Sequence, residues 1–368
     1  MGVATLGLMY APQPLLPVIS DDYGLSASQA SWLISAVTLG VAVGVIPLGA
    51  ASAKWGRGRM IVVGLAVATV AGVCLGVLTP WWALVTARFV QGIGIAAVLV
   101  SAMAWVVDNV LPRAVTRVAG LYIAGTTLGG MGGRVLSGVM SDLLGSWQIG
   151  LLVTSALLTI VGAAAHLLLP RTEVRVPVVR PASDRDALAA PRRAMYALAF
   201  LGIAVHAGVY NAAAFRGAAA PLHLSPSTIA LLFLAYAAGT ATSTLAGRAA
   251  ARVPARVIHV AGVATALAGL AVTFVPHLWG LVLGLALHSA GFFAVHALAN
   301  STAARYSSQP SAGAARYNLA YYAGASMGAI VFAMAWDAGG WGFVVLLASA
   351  FLVVAAAVAW TWAPRDVS

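Results

Sequence analysis

Basic residues in this chain are confined to alternate connections. About a dozen apolar stretches of helical length run along it, and 17 of the 20 lysines and arginines fall in every second connection between them or in the C-terminal tail. The intervening connections hold none, and Arg88, Arg134 and Arg216 lie inside apolar stretches. Short basic loops stay in the cytoplasm, so the pattern predicts a polytopic inner-membrane protein with both ends inside. With 61% hydrophobic and 8% charged residues, an ordinary soluble domain is excluded. The net charge of +11 is spread over loops rather than gathered in a patch, which argues against a nucleic-acid partner. Cys74, the single cysteine, lies in an apolar run and excludes an internal disulfide.

A helix needs about 20 apolar residues to cross the hydrocarbon. The predicted spans are 2–20, 29–52, 60–79, 82–106, 117–141, 147–169, 194–217, 227–248, 256–275, 278–301, 314–335 and 341–362. The first has no basic leader and holds Pro12, Pro14 and Pro17, so it reads as a spanning helix and not as a cleaved signal. Trp81, Trp82, Trp147, Trp279, Trp341, Trp360 and Trp362 stand at span ends, as an interfacial belt would. The arginine-rich stretch 170–193 reads as a flexible cytoplasmic linker between an N-terminal half, 1–169, and a C-terminal half, 194–368.

The halves resemble each other. A shift of 199 sets Arg117, Tyr122, Ala124, Gly125 and Gly129 on Arg316, Tyr321, Ala323, Gly324 and Gly328, and Gly40 and Arg57 on Gly239 and Arg256. A shift of 197 sets Leu84, Val85, Gly94, Ala97 and Val98 on Leu281, Val282, Gly291, Ala294 and Val295. Six helices per repeat give both halves the same sidedness. The expected fold is therefore an all-α integral membrane protein of twelve transmembrane helices in two parallel six-helix repeats.

The connection Gly49-Ala-Ala-Ser-Ala-Lys54-Trp-Gly56-Arg57-Gly58-Arg59 is similar to the Gly-x-x-x-Asp-Arg-x-Gly-Arg-Arg loop of the major facilitator superfamily. It departs at Ala53, where the family carries an acid that latches one conformation. Asp108-x-x-x-Pro112-x-x-x-x-Arg117-x-x-Gly120 also resembles the family, and Asp108 is a candidate partner for Arg57 or Arg117, or a solvated helix end. Arg88-Phe-Val-Gln91-Gly92-Ile-Gly94 resembles a motif of the drug:proton antiporters. Gly125-Thr-Thr-Leu-Gly129-Gly130-Met-Gly132-Gly133-Arg134 is close to their antiporter motif without its proline. With Tyr10-Ala-Pro-Gln13, Tyr210-Asn211 and Gly291-Phe-Phe-Ala-Val-His296, the chain looks like the 12-helix arabinose-efflux-type branch. The resemblance makes Gly49, Lys54, Gly56, Arg57, Arg59, Asp108, Arg117, Gly125, Gly129 and Gly133 candidates for the conformational switch. Glycines at such spacing equally serve close helix packing.

Ionisable groups inside a bilayer cost a few kcal/mol each on insertion scales and are functional candidates. Arg88 and Arg134 sit roughly 10 Å deep on neighbouring helices, which calls for acceptors, a water-filled cavity or an anionic ligand; the alternative to a cavity or coupling role is hydrogen bonding to backbone carbonyls that holds the helices together. Arg216 stands near a helix end, where it can snorkel. His206, His288 and His296 lie at depth, the last two on one face of a helix, and histidine suits a proton relay or a hydrogen-bonded packing role. The nine acids all lie at helix ends or in loops, so proton coupling rests on the resemblance. Metal binding is not expected.

The resulting expectation is a monomeric secondary transporter, not an enzyme, working by alternating access with its substrate near the midplane between the halves. Candidate substrate-binding residues are Gln13, Arg88, Gln91, Tyr122, Arg134, Tyr210, Asn211, His288, His296, Asn300, Tyr321 and Tyr322. Tyrosines suit amphipathic or cationic compounds, arginines suit anions. Proton-driven efflux of small organic molecules or drugs is the leading reading, with no cofactor; uptake of a metabolite is the alternative. An intramembrane enzyme lacks clustered catalytic groups at depth, and a receptor lacks an output domain.

Overall fold

A hydrocarbon solvent leaves no partner for an open backbone, so spanning segments close their hydrogen bonds internally as helices. In a computed structural model of the protein, which describes residues 1–168, 189–307 and 310–362, the elements are helical throughout, with no strand among the described residues. The helices are α1 (Gly2–Tyr23), α2 (Ala27–Trp55), α3 (Arg57–Val77), α4 (Trp81–Asn109), α5 (Pro112–Leu144) and α6 (Trp147–Leu167). They continue with α7 (Ala189–Ala218), α8 (Pro226–Ala249), α9 (Ala255–Val272) and α10 (Leu278–Arg305). The last helical run, Pro310–Trp362, breaks at Gly339 and Gly340, the latter at φ 62°, into α11 (310–338) and α12 (341–362). Ten of these runs are long and apolar enough to cross a membrane; the break divides one of them, and α5, the most polar, completes twelve.

The helices overrun the predicted spans mainly at their ends. Residues 170–188 of the expected linker lie outside the described residues, but 189–193 already belong to α7, and Arg192 is buried there. The tryptophan belt also needs correction. Trp82, Trp279, Trp360 and Trp362 are exposed, whereas Trp147 and Trp341 are buried at the starts of α6 and α12. Their indole N–H groups donate to Asp22 Oδ2 and Thr273 Oγ1, each at 2.9 Å, so an amphipathic ring that could float at an interface is used as a peg.

Two compact units emerge. One holds Met1–Leu25, Trp32–Arg180 and Ser225–Leu231; the other holds Ser26–Ser31, Pro181–Leu224 and Leu232–Ser368. In the first, α1 packs on α5 and α6, and α4 packs on α2 and α3; in the second, α7 packs on α11–α12, and α10 packs on α8 and α9. The central helices α1 and α7 are the most enclosed spans. Close approach follows glycine in both. A Cβ at Gly64 of α3 would stand 2.6 Å from the Gly94 carbonyl of α4, and one at Gly262 of α9 would stand 2.8 Å from the Gly291 carbonyl of α10. Those distances are too short for a real carbon, so the repeated glycine pairs set helix separation in each unit. Each unit also caps a helix start with a carboxylate. Asp142 accepts from Ser227 N–H at 3.0 Å, and Asp337 accepts from Ala27 and Ser28 N–H at 3.0 and 2.9 Å.

Candidate functional site

Three prolines shape α1. It is α-helical to Tyr10, passes through a 3-10 turn at Gln13–Leu15 and resumes at Leu16. Pro12 has no N–H, so the Leu8 carbonyl four residues earlier loses its helical donor. The 3-10 turn sends Leu15 N–H to Pro12 O and so takes the helical donor from the Ala11 carbonyl. Buried carbonyls demand partners, and the first unit supplies them from side chains.

Arg88, fully buried on α4, donates from Nη1 to Leu8 O at 3.2 Å and from Nη2 to Met9 O. Its Nε donates to Leu33 O of α2 at 2.8 Å, and Nη1 also reaches Gln91 Oε1. Gln91 then donates from Nε2 to Ala68 O of α3 at 3.0 Å. Ser137 of α5 donates to Ala11 O. Of the three ways to accommodate buried arginines, the structure shows acceptors: Arg88 and Gln91 tie four helices together at the break in α1. Arg134 of α5 is as deeply buried. It donates from Nε to Gln13 Oε1 and from Nη1 to Gly130 O, each at 2.7 Å, and lies 4.2 Å over the Tyr10 ring. Gln13, Arg88, Gln91 and Arg134 are thus gathered around one proline break. Tyr122 stands apart, packed against Ile61, Leu65, Val98 and Ala102, with its enclosed hydroxyl lacking a hydrogen-bond partner.

The second unit gathers rings. His206 of α7 stacks on Phe292 of α10 at 4.1 Å and 12°, and on His288 at 5.4 Å and 17°. Phe292 stacks in turn on His296 at 5.6 Å and 21°. Residues 288, 292 and 296 are successive turns of one face, so the expected common face of His288 and His296 is present with a phenylalanine between them. Tyr210 lies 5.0 Å from His206, and its hydroxyl shares a 2.7 Å hydrogen bond with Ser289 Oγ. At the other end His296 meets Tyr321 at 4.9 Å, which meets Tyr322 at 5.3 Å. The Tyr317 hydroxyl lies 2.9 Å from His296 Nδ1. Asn211 is buried beside Tyr210, and Asn300 is half-buried one turn beyond His296.

Tyr10, Tyr236, Phe292 and Tyr317 are contributors absent from the sequence-based candidates. Tyr236 stacks within 4.8 Å of His206 and 4.4 Å of Tyr210. Tyr317 precedes Tyr321 by four residues, and that spacing on a helix was the available signal. Tyr236 gives none, because it comes from a different helix.

At the basic ends, Gly56 at φ 100° turns α2 into α3 in one residue. Around this turn Lys54 and Arg59 are exposed, and Arg57 Nε meets Asp108 Oδ2 at 3.0 Å. Arg57 is therefore the partner of Asp108, while Arg117 is exposed. A Cβ on Gly129 would fall on the Val3 backbone and one on Gly133 on Gly7, so these two bring α5 against α1. Gly125 makes ordinary contact with Val3, and Gly49 faces open space. Among the described residues the acids Asp21, Asp22, Asp108, Asp142 and Asp337 stand at or near helix ends, and no group of three His, Cys, Asp or Glu could hold a metal ion.

The chain as a whole is similar to known proteins. The family model for the Major Facilitator Superfamily matches residues 1–217. The inner membrane transport protein YnfM of Escherichia coli is 29% identical over 369 residues, covering 96% of this chain and 86% of that one. The MFS-type transporter YybF of Bacillus subtilis is 25% identical over 366 residues, covering 96% and 89%. Among solved structures, a bacterial homolog of the human lysosomal transporter Spinster, inward-facing and unoccupied, superposes with a TM-score of 0.76 at 17% identity, covering 97% of this chain and 94% of that one. That likeness concerns the fold. With the family model spanning more than half of the chain, and the twelve helices and repeated packing in place, this multi-pass membrane protein belongs to the Major Facilitator Superfamily.

Proposed function

We propose that the chain is a proton-coupled exporter of small organic compounds, working by alternating access in the inner membrane with its basic ends in the cytoplasm. The observation that carries this reading is the ring chain from Tyr210 through His206, Phe292 and His296 to Tyr321. It puts the titratable histidines at membrane depth, where the described carboxylates are not. Aromatic faces attract cationic and amphipathic molecules, so these are the preferred cargo. Arg88 and Arg134 are occupied by fixed acceptors, which weakens the case for an anionic substrate. Efflux follows from the resemblance of Arg88-Phe-Val-Gln91-Gly92-Ile-Gly94 to the antiporter motif. The proton gradient supplies the drive, and the chain acts as a monomer.

The test is proton flux in everted vesicles, read with a pH-sensitive dye against cationic, neutral and anionic compounds. Proton release triggered by cations, and absent without the protein, is the expected result. Release with anions alone would reverse the assignment of cargo. No release with any compound would overturn antiport and favour uptake of a metabolite.

A further inference from the structure

We propose that the first unit carries a docking furrow for an anionic phospholipid, formed by α2, α3 and α4 and read at its basic end by Lys54 and Arg59. The furrow has two parts that meet at Val67. One, of about 380 Å³, runs from Trp55 and Arg59 past Val63 to Gly64 and Gly94. The other, of about 800 Å³, continues past Cys74 to Trp82 at the opposite end. Its origin is the close packing already described: the Gly64–Gly94 approach draws α3 and α4 together and leaves no side chains to fill the outer angle between them. The rim is apolar and exposed at Val63, Val70 and Val90, as a surface meeting acyl chains must be.

Charge separates a phospholipid from a generic hydrocarbon neighbour. The part ending at Arg59 has that cation in its lining, with Lys54 next in sequence to the lining residue Trp55, and the other has no charged residue in its lining. Lys54 and Arg59 are exposed, and among the described residues the only ion pair is Arg57 with Asp108, so both cations remain available. The lining of this part holds no acid, which leaves the mouth net basic. Trp55 is exposed beside them, an indole at the height where headgroups lie. A negatively charged headgroup on Lys54 and Arg59, with one acyl chain along Val63 and Val67, satisfies both the charge and the apolar wall.

The experiment is native mass spectrometry of the purified full chain with equal amounts of phosphatidylglycerol and phosphatidylcholine. Wild type is expected to retain phosphatidylglycerol preferentially. Removing both cations in a Lys54→Gln, Arg59→Gln variant should weaken that lipid about 30-fold, about fivefold per surface cation, and leave phosphatidylcholine unchanged. Val63→Trp, which fills the furrow without touching charge, should lower retention of phosphatidylglycerol while the fold stays intact by circular dichroism. Equal retention of the two lipids would overturn the proposal. So would a preference that survives the double variant, or a second copy of the chain occupying the furrow in place of lipid.

Discussion

Helices α1 and α7 hold the same place in their units, yet one is broken and the other is not. Val3 of α1 meets Gly129 as Ala204 of α7 meets Gly328, an offset of 201, so Pro12 corresponds to Ala213 of α7, which keeps its N–H. Arg88 of α4 corresponds, at the 197 shift, to Leu285 of α10, and Gln91 to His288. The pairing has a physical logic. Where a proline frees buried carbonyls, the neighbouring helix must bring a multivalent donor, and arginine is the one that can serve several at once. Where the helix runs unbroken, no donor is needed, and the same neighbouring positions can carry leucine and a ring. One repeat has become a polar knot, the other an aromatic stack, on one packing scheme.

The largest expected effect comes from forcing the first unit toward the second. Arg88→Leu leaves the Leu8, Met9 and Leu33 carbonyls without that donor, at about 1–3 kcal/mol each if water does not replace it. Unfolding in mixed micelles, followed by tryptophan fluorescence, should show a loss of several kcal/mol. Pro12→Ala restores an N–H to the Leu8 carbonyl, so Arg88→Leu should cost about 1 kcal/mol less in that background. Strict additivity would break the link between proline and arginine. A stable double variant without transport would give Arg88 a role in transport beyond the knot.

Next come the shared contacts. A Cβ on Gly129 would collide with the Val3 backbone, and one on Gly328 with that of Ala204. Gly129→Val and Gly328→Val should therefore both destabilise, by about 1–3 kcal/mol or more, since backbone cannot swing aside. Similar losses in the two variants would confirm that the packing scheme is duplicated. A benign Gly328→Val would show that the second unit tolerates a wider α7–α11 separation.

Much of this was legible in residues. Charge alternation and apolar length gave twelve helices, and the offset glycines gave the repeat. Hydrogen bonding of Arg88 to backbone carbonyls was one expected reading, but which carbonyls, those of Leu8, Met9 and Leu33, no side-chain pattern records. Pro12, Pro14 and Pro17 were the clue, since each removes a donor at a known position. The ring stack was half visible: His288 and His296 share a face by spacing, whereas Tyr236 and His206 join from other helices through tertiary packing. The start of α7 was hidden because Arg192 and Arg193 read as loop charge, although a helix continues through them.

A smaller effect sharpens the aromatic side. His296→Phe keeps a ring against Phe292 and Tyr321 but removes the Nδ1 atom next to the Tyr317 hydroxyl, which retains His296 O at 3.2 Å. Stability should fall by about 1 kcal/mol, the net worth of one hydrogen bond. Compound-triggered proton flux in vesicles should fall far more if the ring chain carries the proton. Unchanged flux would reduce His296 to packing and move the search to His206 and His288.

The smallest effect lies at the basic ends, where the repeats use one arginine in two ways. Arg57 pairs with Asp108, while its counterpart Arg256 lies 4.8 Å over the Trp360 ring. Position 108 maps to Arg305 at the 197 shift, so the second unit has no acid to offer there and an indole face takes its place. A double-mutant cycle on Arg57→Gln and Asp108→Asn should give a coupling of about 1 kcal/mol, the upper end for surface pairs, because this pair is half-buried. The cycle on Arg256→Gln and Trp360→Leu should give about 0.5–1 kcal/mol from the cation–π contact. Salt separates the two, since added salt screens the attraction of two full charges at a half-buried site more than a guanidinium held against a neutral ring. Raising ionic strength should therefore shrink the first coupling and spare the second. Equal salt sensitivity would mean that Trp360 only shields Arg256, and that the two ends differ in sequence but not in the force that holds them.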